Sequence, residues 1–194
     1  MFRKILLAAT VLNAAISTIA QVAPDARTVD MPLTMGVGYS NFYTDWTGRI
    51  AGPDLWIDWN FYQGPSYLRG FGIEAEARDL NYQRNGGVPN LRMDTAGGGV
   101  TYAWRHFHNF DPYVKYLIGY GSIDFTLPSA PNYKHDSRTV YAPAGGVDYR
   151  FHRNLLVSGN YEYQFWPDLF NNHALNPRGF TFGVAYDMGG PRGH

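Results

Sequence analysis

The chain has 194 residues, no cysteine, and 16 basic against 16 acidic residues. The missing cysteines exclude disulfides, thiolate metal sites and a cysteine nucleophile, and a formal charge of zero argues against a nucleic-acid partner held by a broad basic patch. Aromatic residues make up 16% of the chain, yet mean hydropathy is −0.31, so the apolar residues are dispersed instead of gathered into the ~20-residue runs that membrane-spanning helices need.

Residues 1–20 have the layout of a secretory signal: Arg3 and Lys4, an apolar stretch from Ile5 to Ile16 interrupted by Asn13, then Ser17-Thr18-Ile19-Ala20. Cleavage is expected after Ala20, and the apolar stretch is too short for a spanning anchor. No cysteine follows that could carry a lipid. Removing Arg3 and Lys4 leaves the exported chain slightly acidic.

From Leu33 onward the dominant period is 2, the signature of β-strands. The first strand, 33–43, sets Leu33, Met35, Val37 and Tyr39 against Thr34, Gly36, Gly38 and Ser40. In the second, 54–61, Leu55, Ile57, Trp59 and Phe61 oppose Asp54, Trp56, Asp58 and Asn60. The third, 68–81, sets Phe71, Ile73, Ala75 and Ala77 against Gly72, Glu74, Glu76 and Arg78, and the fourth, 92–105, sets Val100, Tyr102 and Trp104 against Gly97, Gly99, Thr101, Ala103 and Arg105. The same division recurs over 112–124, 139–151, 155–165 and 179–188, ending with Phe180, Phe182, Val184, Tyr186 and Met188 opposite Thr181, Gly183, Ala185 and Asp187.

One face of every strand is thus bulky and apolar, and the other is small, with a few charges. A soluble sandwich or calycin would bury the bulky face. Small residues suit a narrow interior, and an eight-stranded barrel has an interior just wide enough for side chains to fill. The bulky faces are therefore expected to point outward, into a bilayer. The connections 44–53, 62–67, 83–91, 106–111, 125–138, 152–154 and 166–178 alternate longer and shorter, as in barrels with long extracellular loops and short periplasmic turns. The expected organisation is a signal peptide at 1–20, a periplasmic segment at 21–32, an all-β, eight-stranded antiparallel up-and-down transmembrane barrel at 33–188 and a tail at 189–194.

The segments Pro112-Tyr113-Val114-Lys115-Tyr116-Leu117-Ile118-Gly119-Tyr120-Gly121, Tyr141-Ala142-Pro143-Ala144-Gly145-Gly146-Val147-Asp148-Tyr149-Arg150, Asn160-Tyr161-Glu162-Tyr163-Gln164 and Phe180-Thr181-Phe182-Gly183-Val184-Ala185-Tyr186-Asp187-Met188 are where the chain resembles a known family. That family is the small eight-stranded outer-membrane β-barrels of Gram-negative bacteria, of the OmpA/OmpX-like outer membrane protein beta-barrel domain type. The resemblance spans residues 33–188. It implies a monomer in outer-membrane lipid and lipopolysaccharide, with a last strand read by the barrel-assembly machinery. Such barrels end on an aromatic residue, whereas here Met188 is followed by Gly189-Gly190-Pro191-Arg192-Gly193-His194.

The inward charges are Asp58, Glu74, Glu76, Arg78, Arg105, Lys115, Asp148, Arg150 and Glu162, with Asp54 nearer a rim. Isolated charges in a narrow interior cost so much desolvation that these are expected to pair into a near-neutral plug, in preference to a gated ion path. Glu74 and Glu76 invite an acid/base hydrolase reading, but neighbouring cations account for them. His173-Ala174-Leu175-Asn176 matches a lipid A deacylase pattern only at the His and the Asn, and Leu175 supplies no nucleophile. His106-Phe107-His108 with Asp111 is a weak metal pattern, better read as a turn at headgroup level. Trp46, Trp59, Trp104 and Trp166 are read as aromatic girdles in preference to sugar platforms. Gly97-Gly98-Gly99 lacks the Lys-Ser/Thr of a phosphate loop. The expectation is a non-enzymatic protein without cofactor or metal, presenting loops 125–138 and 166–178. A narrow channel, and less favoured a soluble periplasmic ligand-binding barrel, are the alternatives.

Overall fold

A computed structural model describes residues 32–45, 48–61, 68–84, 91–104, 107, 109–126, 133–169 and 173–189. The expected signal peptide, nearly all of the segment after it, and the tail beyond Gly189 lie outside the described residues.

Alternating apolar and small residues build long strands: β1 (Leu33–Thr44), β2 (Gly48–Asn60), β3 (Phe71–Leu80), β4 (Tyr82–Arg84), β5 (Arg92–Ala103), β6 (Phe110–Thr126), β7 (Tyr133–His152), β8 (Leu155–Tyr163), β9 (Trp166–Leu169), β10 (His173–Leu175) and β11 (Arg178–Asp187). Each of β1, β2, β3, β5, β6, β7, β8 and β11 pairs antiparallel with its neighbours in sequence order, and β11 pairs back onto β1. The result is a closed eight-stranded barrel, which leaves no sheet edge along its wall. Continuing the registers once around returns to β1 displaced by about ten residues, the stagger that closure of tilted strands requires. The connections β2–β3, β5–β6 and β7–β8 and the outer ends of β1 and β11 lie at one end, the turn end. The others leave from the opposite end, the loop end.

The bulky faces point out. Leu55, Ile73, Val100, Phe182 and Val184 are all at least half exposed, while Glu76, Arg78, Lys115 and Glu162 are buried inside. Glycines on the inner face make room for the large side chains that do turn inward. Trp56 lies over Gly36, Gly38 and Gly183, and the three atoms nearest to a Cβ built on Gly36 all belong to its indole. Gly36→Val is therefore expected to overpack the lumen and cost about 1–3 kcal/mol. Pairing it with Trp56→Leu should recover most of that loss in equilibrium urea unfolding.

Three stretches differ from the sequence expectation. β2 begins at Gly48, not at residue 54. Gly52-Pro53 has the look of a turn, but it stands where the partner strand shifts register between Asp54↔Arg78 and Ala51↔Tyr82. The ladder is already broken at that bulge, so proline's missing N–H costs nothing there. The segment read as loop 125–138 is largely strand, with β6 and β7 paired out to Thr126↔Tyr133. The segment read as loop 166–178 holds the β9–β10 hairpin, in which Asp168 takes a positive φ of 55°, a conformation that Asp tolerates better than most residues.

Towards the loop end the alternation inverts. Phe42, Ile50, Leu80, Met93, Ile123 and Val140 turn inward and are almost fully buried with Leu91, Trp166, Leu169 and Leu175. Their outward neighbours in sequence are Asn41, Arg49, Asp79, Arg92, Asp94, Asp124 and Thr139. The wall is apolar-out and polar-in along most of its length, and polar-out and apolar-in at this end.

Candidate functional site

The inner face of the wall brings most of the expected charges together around two cations. Arg78, on β3, donates through Nη1 to Glu162 Oε1 at 2.8 Å, through Nε to Ser40 Oγ at 3.0 Å, and through Nη2 to Glu76 and to Glu162 Oε2 at 3.3 Å. Its guanidinium also lies 4.6 Å from the centre of the Phe42 ring. A planar fork against a carboxylate, with the remaining donors used, is the geometry in which a buried arginine recovers most of its lost hydration. Lys115, on β6, reaches Glu74 Oε1 at 2.6 Å and also binds Glu76. Glu76 thus joins the two cations across the lumen.

Asp54, placed nearer a rim by the sequence reading, is only 2% exposed and stands 3.7 Å from Arg78 Nη2. The correction follows from β2 starting six residues earlier, which puts Asp54 in mid-strand. Neither of its carboxylate oxygens accepts a hydrogen bond among the described residues. The near-neutral balance expected over the whole interior is not reproduced within the hub itself, where Asp54, Glu74, Glu76 and Glu162 face Arg78 and Lys115.

The remaining charges sit apart. Arg150 belongs to the turn end, where Nη2 donates to Asp187 Oδ2 at 2.8 Å and Nη1 to the Arg153 carbonyl at 3.1 Å. Asp58 accepts from Asn60 at 2.9 Å and Thr101 at 3.3 Å. With Glu74, Asp111, Asp148, Tyr113 and Ser158 it lines a small cavity of about 40 Å³ inside the turn end. Arg105 lies outside the described residues, as do Trp46, His106 and His108, so the His pattern is not placed.

Above the charged hub a polar relay leads to the apolar cap. Trp166 Nε1 donates to Gln164 Oε1 at 2.9 Å, and Gln164 Nε2 donates to Glu162 Oε1 at 2.6 Å. Trp166 is fully buried, so it is no part of a girdle. The sequence reading placed it in the connection 166–178, whereas its indole lies over inward Gly121. Trp59 and Trp104 are outward and exposed. Trp104 packs edge-on against Tyr102 at 4.9 Å, and Tyr102 against Phe71 at 4.9 Å. Leu175, standing where the deacylase pattern needs a serine, is 1% exposed within the cap.

A closed barrel with an apolar exterior and a filled, ionic interior is the architecture of small outer-membrane barrels, and the family model for the outer membrane protein beta-barrel domain matches residues 6–187. The chain belongs to that family. No curated protein is similar to it in sequence. Among solved structures it is similar in fold to Neisserial surface protein A, with a TM-score of 0.64 at 10% identity, covering 80% of this chain and 97% of that one. It is also similar to the outer membrane protein OprG of Pseudomonas aeruginosa (0.60, 13%, 79% and 94%). A third likeness is to Ail, the attachment invasion locus protein of Yersinia pestis (0.57, 15%, 79% and 96%).

Lipid contact sets one expected outcome for this outer-membrane barrel. Val184 is 50% exposed on the outer wall, in register with Val37 and Val157. Val184→Arg is expected to cost about 2–4 kcal/mol in unfolding from lipid vesicles, whereas Asn41→Arg, in the polar-out region, should be nearly neutral.

Proposed function

We propose that this protein is a non-enzymatic anchor of the outer membrane, exported by its N-terminal signal, whose filled barrel seals its own lumen and holds the loop end outward as an interaction surface. The observation that carries this reading is the double filling of the interior: the Arg78–Lys115 hub and, stacked on it, the apolar cap around Trp166. Either layer alone would obstruct water and ions, because an eight-stranded wall leaves little free bore. Glu74 and Glu76 are both engaged by Lys115, which disfavours an acid/base pair. In this reading the barrel is a monomer in lipopolysaccharide-bearing lipid, and β11, with Phe182, Val184 and Tyr186 outward, is the strand the assembly machinery engages. The soluble-barrel alternative is disfavoured by a continuous apolar exterior far larger than soluble monomers expose.

The test is outer-membrane fractionation with heat-modifiable migration in SDS, followed by conductance of the refolded protein in planar bilayers. A detergent-dependent, heat-modifiable protein without steady current is the expected result. A freely soluble product would overturn the membrane placement, and steady ohmic current would overturn the seal. The channel reading is favoured by one feature, the acidic cavity at the turn end, and requires both the Arg78 hub and the cap around Trp166 to move aside.

A further inference from the structure

Where β6 and β7 run on past the apolar wall, three polar side chains on their outer face form one hydrogen-bonded series. Asp124 and His135 stand opposite each other in the ladder, and Asp124 Oδ1 is bonded to His135 Nδ1. His135 Nε2 lies 3.2 Å from Ser137 Oγ, two residues along the same strand and therefore on the same face. An ionised carboxylate can only accept, so in the neutral imidazole Nδ1 carries the proton; Nε2 is then the acceptor, and the Ser137 hydroxyl donates to it. A serine that donates to an imidazole whose far nitrogen is held by a carboxylate is the arrangement that activates a hydroxyl nucleophile. The series is reachable from solvent, with the His135 side chain 53% and the Asp124 side chain 24% exposed. One local feature limits what it can do. The N–H of a nucleophilic serine commonly helps to hold the oxyanion formed on its substrate, whereas the Ser137 N–H already donates to Asp136 Oδ1 at 2.8 Å.

We propose that Ser137 is a nucleophilic acyl acceptor, which takes the acyl group of an activated carboxylic ester with His135 as its general base and Asp124 as the positioning residue. In the step, Oγ bonds to the carbonyl carbon as the bond from that carbon to the leaving oxygen breaks. The proton passes from Oγ to Nε2 and from there to the leaving oxygen, so an alcohol departs and nothing is oxidised or reduced. With its own N–H engaged, Ser137 lacks a donor whose loss in other acyl-transfer sites costs about 10²–10³ in rate. Only an ester with a good leaving group acylates it, and the alkyl ester left on Ser137 is too unreactive for water to clear. The result is one modification per chain, which goes beyond the anchoring reading without making the barrel a catalyst of turnover. It rests on the registers of the wall and not on the sealing of the lumen. One outward position below Ser137 is Thr139, opposite Tyr120. Tyr120 and Tyr141 are 61% and 36% exposed there, an apolar surface that favours esters whose acyl part is a hydrocarbon chain.

The experiment uses the full chain in mild detergent, with p-nitrophenyl butyrate as the activated ester and a fluorophosphonate as a second serine-directed probe. Nitrophenolate is expected in a burst of about one equivalent per chain, with the butyryl group found on Ser137 by mass spectrometry of peptides. Ser137→Ala should abolish the burst, and His135→Gln should slow it by about a hundredfold or more. Asp124→Asn should slow it too, and nitrogen NMR of His135 should show the proton moved from Nδ1 to Nε2, a change that a merely structural role would not produce. Ser122→Ala, at the outward position opposite Ser137, should keep the wild-type rate. Phosphatidylcholine vesicles, whose esters have poor leaving groups, should transfer no acyl group. Heat-modifiable migration establishes that each variant is folded. A burst that survives Ser137→Ala, or a folded His135→Gln chain that reacts as fast as wild type, would overturn the site. Release that continues past the burst would overturn the arrest at the acyl-serine, and acyl transfer from the vesicles would overturn the restriction to activated esters.

Discussion

Arg78→Ala is expected to destabilise the barrel by about 3–5 kcal/mol, the range for breaking a buried ion pair by removing one partner. The loss comes from what remains behind. Glu162 would lose both of its bonds to the guanidinium, Glu76 would keep only Lys115, and Asp54 would lose its ion-pair partner, with all three carboxylates buried in the lumen. Arg78→Lys keeps the charge but cannot reproduce the fork that spans Glu162, Glu76 and Ser40, so it should recover only part of the loss. Adding Glu162→Gln to Arg78→Ala removes one stranded charge and should also recover part. Arg92→Ala breaks pairs that are about 40% exposed and should change stability by less than ~1 kcal/mol. Equilibrium urea unfolding in lipid vesicles measures all four, and an Arg78→Ala barrel within ~1 kcal/mol of wild type would remove the hub from its structural role. The same variant in a planar bilayer should remain closed if the cap seals independently.

Trp166→Ala carries an expected loss of similar size, about 3–5 kcal/mol, by a different mechanism. The indole fills the top of the lumen over Gly121, in contact with a cap that includes Ile123, Met93 and Val140. Its removal leaves a cavity that a closed, hydrogen-bonded wall cannot collapse to fill. It also strips Gln164 of the donor that holds its amide oxygen. Trp59→Ala, on the lipid side at 51% exposure, should cost much less. Because Trp166, Gln164, Glu162 and Arg78 form one hydrogen-bonded series, the double variant Arg78→Ala with Trp166→Ala should depart from additivity by about 0.5–3 kcal/mol. It should also be the variant in which steady conductance emerges, since it removes both layers. A strictly additive cycle would mean that the relay transmits nothing between them.

The architecture was legible in the sequence wherever the wall touches lipid. There the contrast between faces is extreme: Leu55, Ile57 and Trp59 against Asp54, Trp56 and Asp58 can be read without any neighbour. The same contrast placed Glu74, Glu76, Arg78, Lys115 and Glu162 inside, although it could not say which would touch, because cross-lumen partners such as Arg78 and Glu162 are far apart in sequence and depend on stagger and side-chain reach. Asp54 was misplaced because the second strand was started at residue 54, whereas β2 runs back to Gly48 through a bulge at Gly52-Pro53 that only the partner strand reveals. The cap was missed for a different reason. Phe42, Ile50, Met93 and Ile123 sit in phase with the inner face but are apolar, beside outward Asn41, Arg49, Asp94 and Asp124, so the pattern inverts within single strands. A reading that searches for one polarity sees the strand stop and a loop begin. An inversion of phase without loss of period is the signal that would have identified the cap.

That inversion gives the wall two different solvents along its length. Below it the barrel is held up by hydrocarbon outside; above it the barrel carries its own dry interior, as a water-soluble protein does. The upper portion therefore behaves as a spacer joined to the hub by a single hydrogen-bonded series. Substitutions in the connections that spring from it meet the cap before they can reach the ionic hub, and the hub is tuned by residues those connections do not contain. Changes at the loop end then reach the lumen's electrostatics only through the cap and its Trp166–Gln164–Glu162 relay.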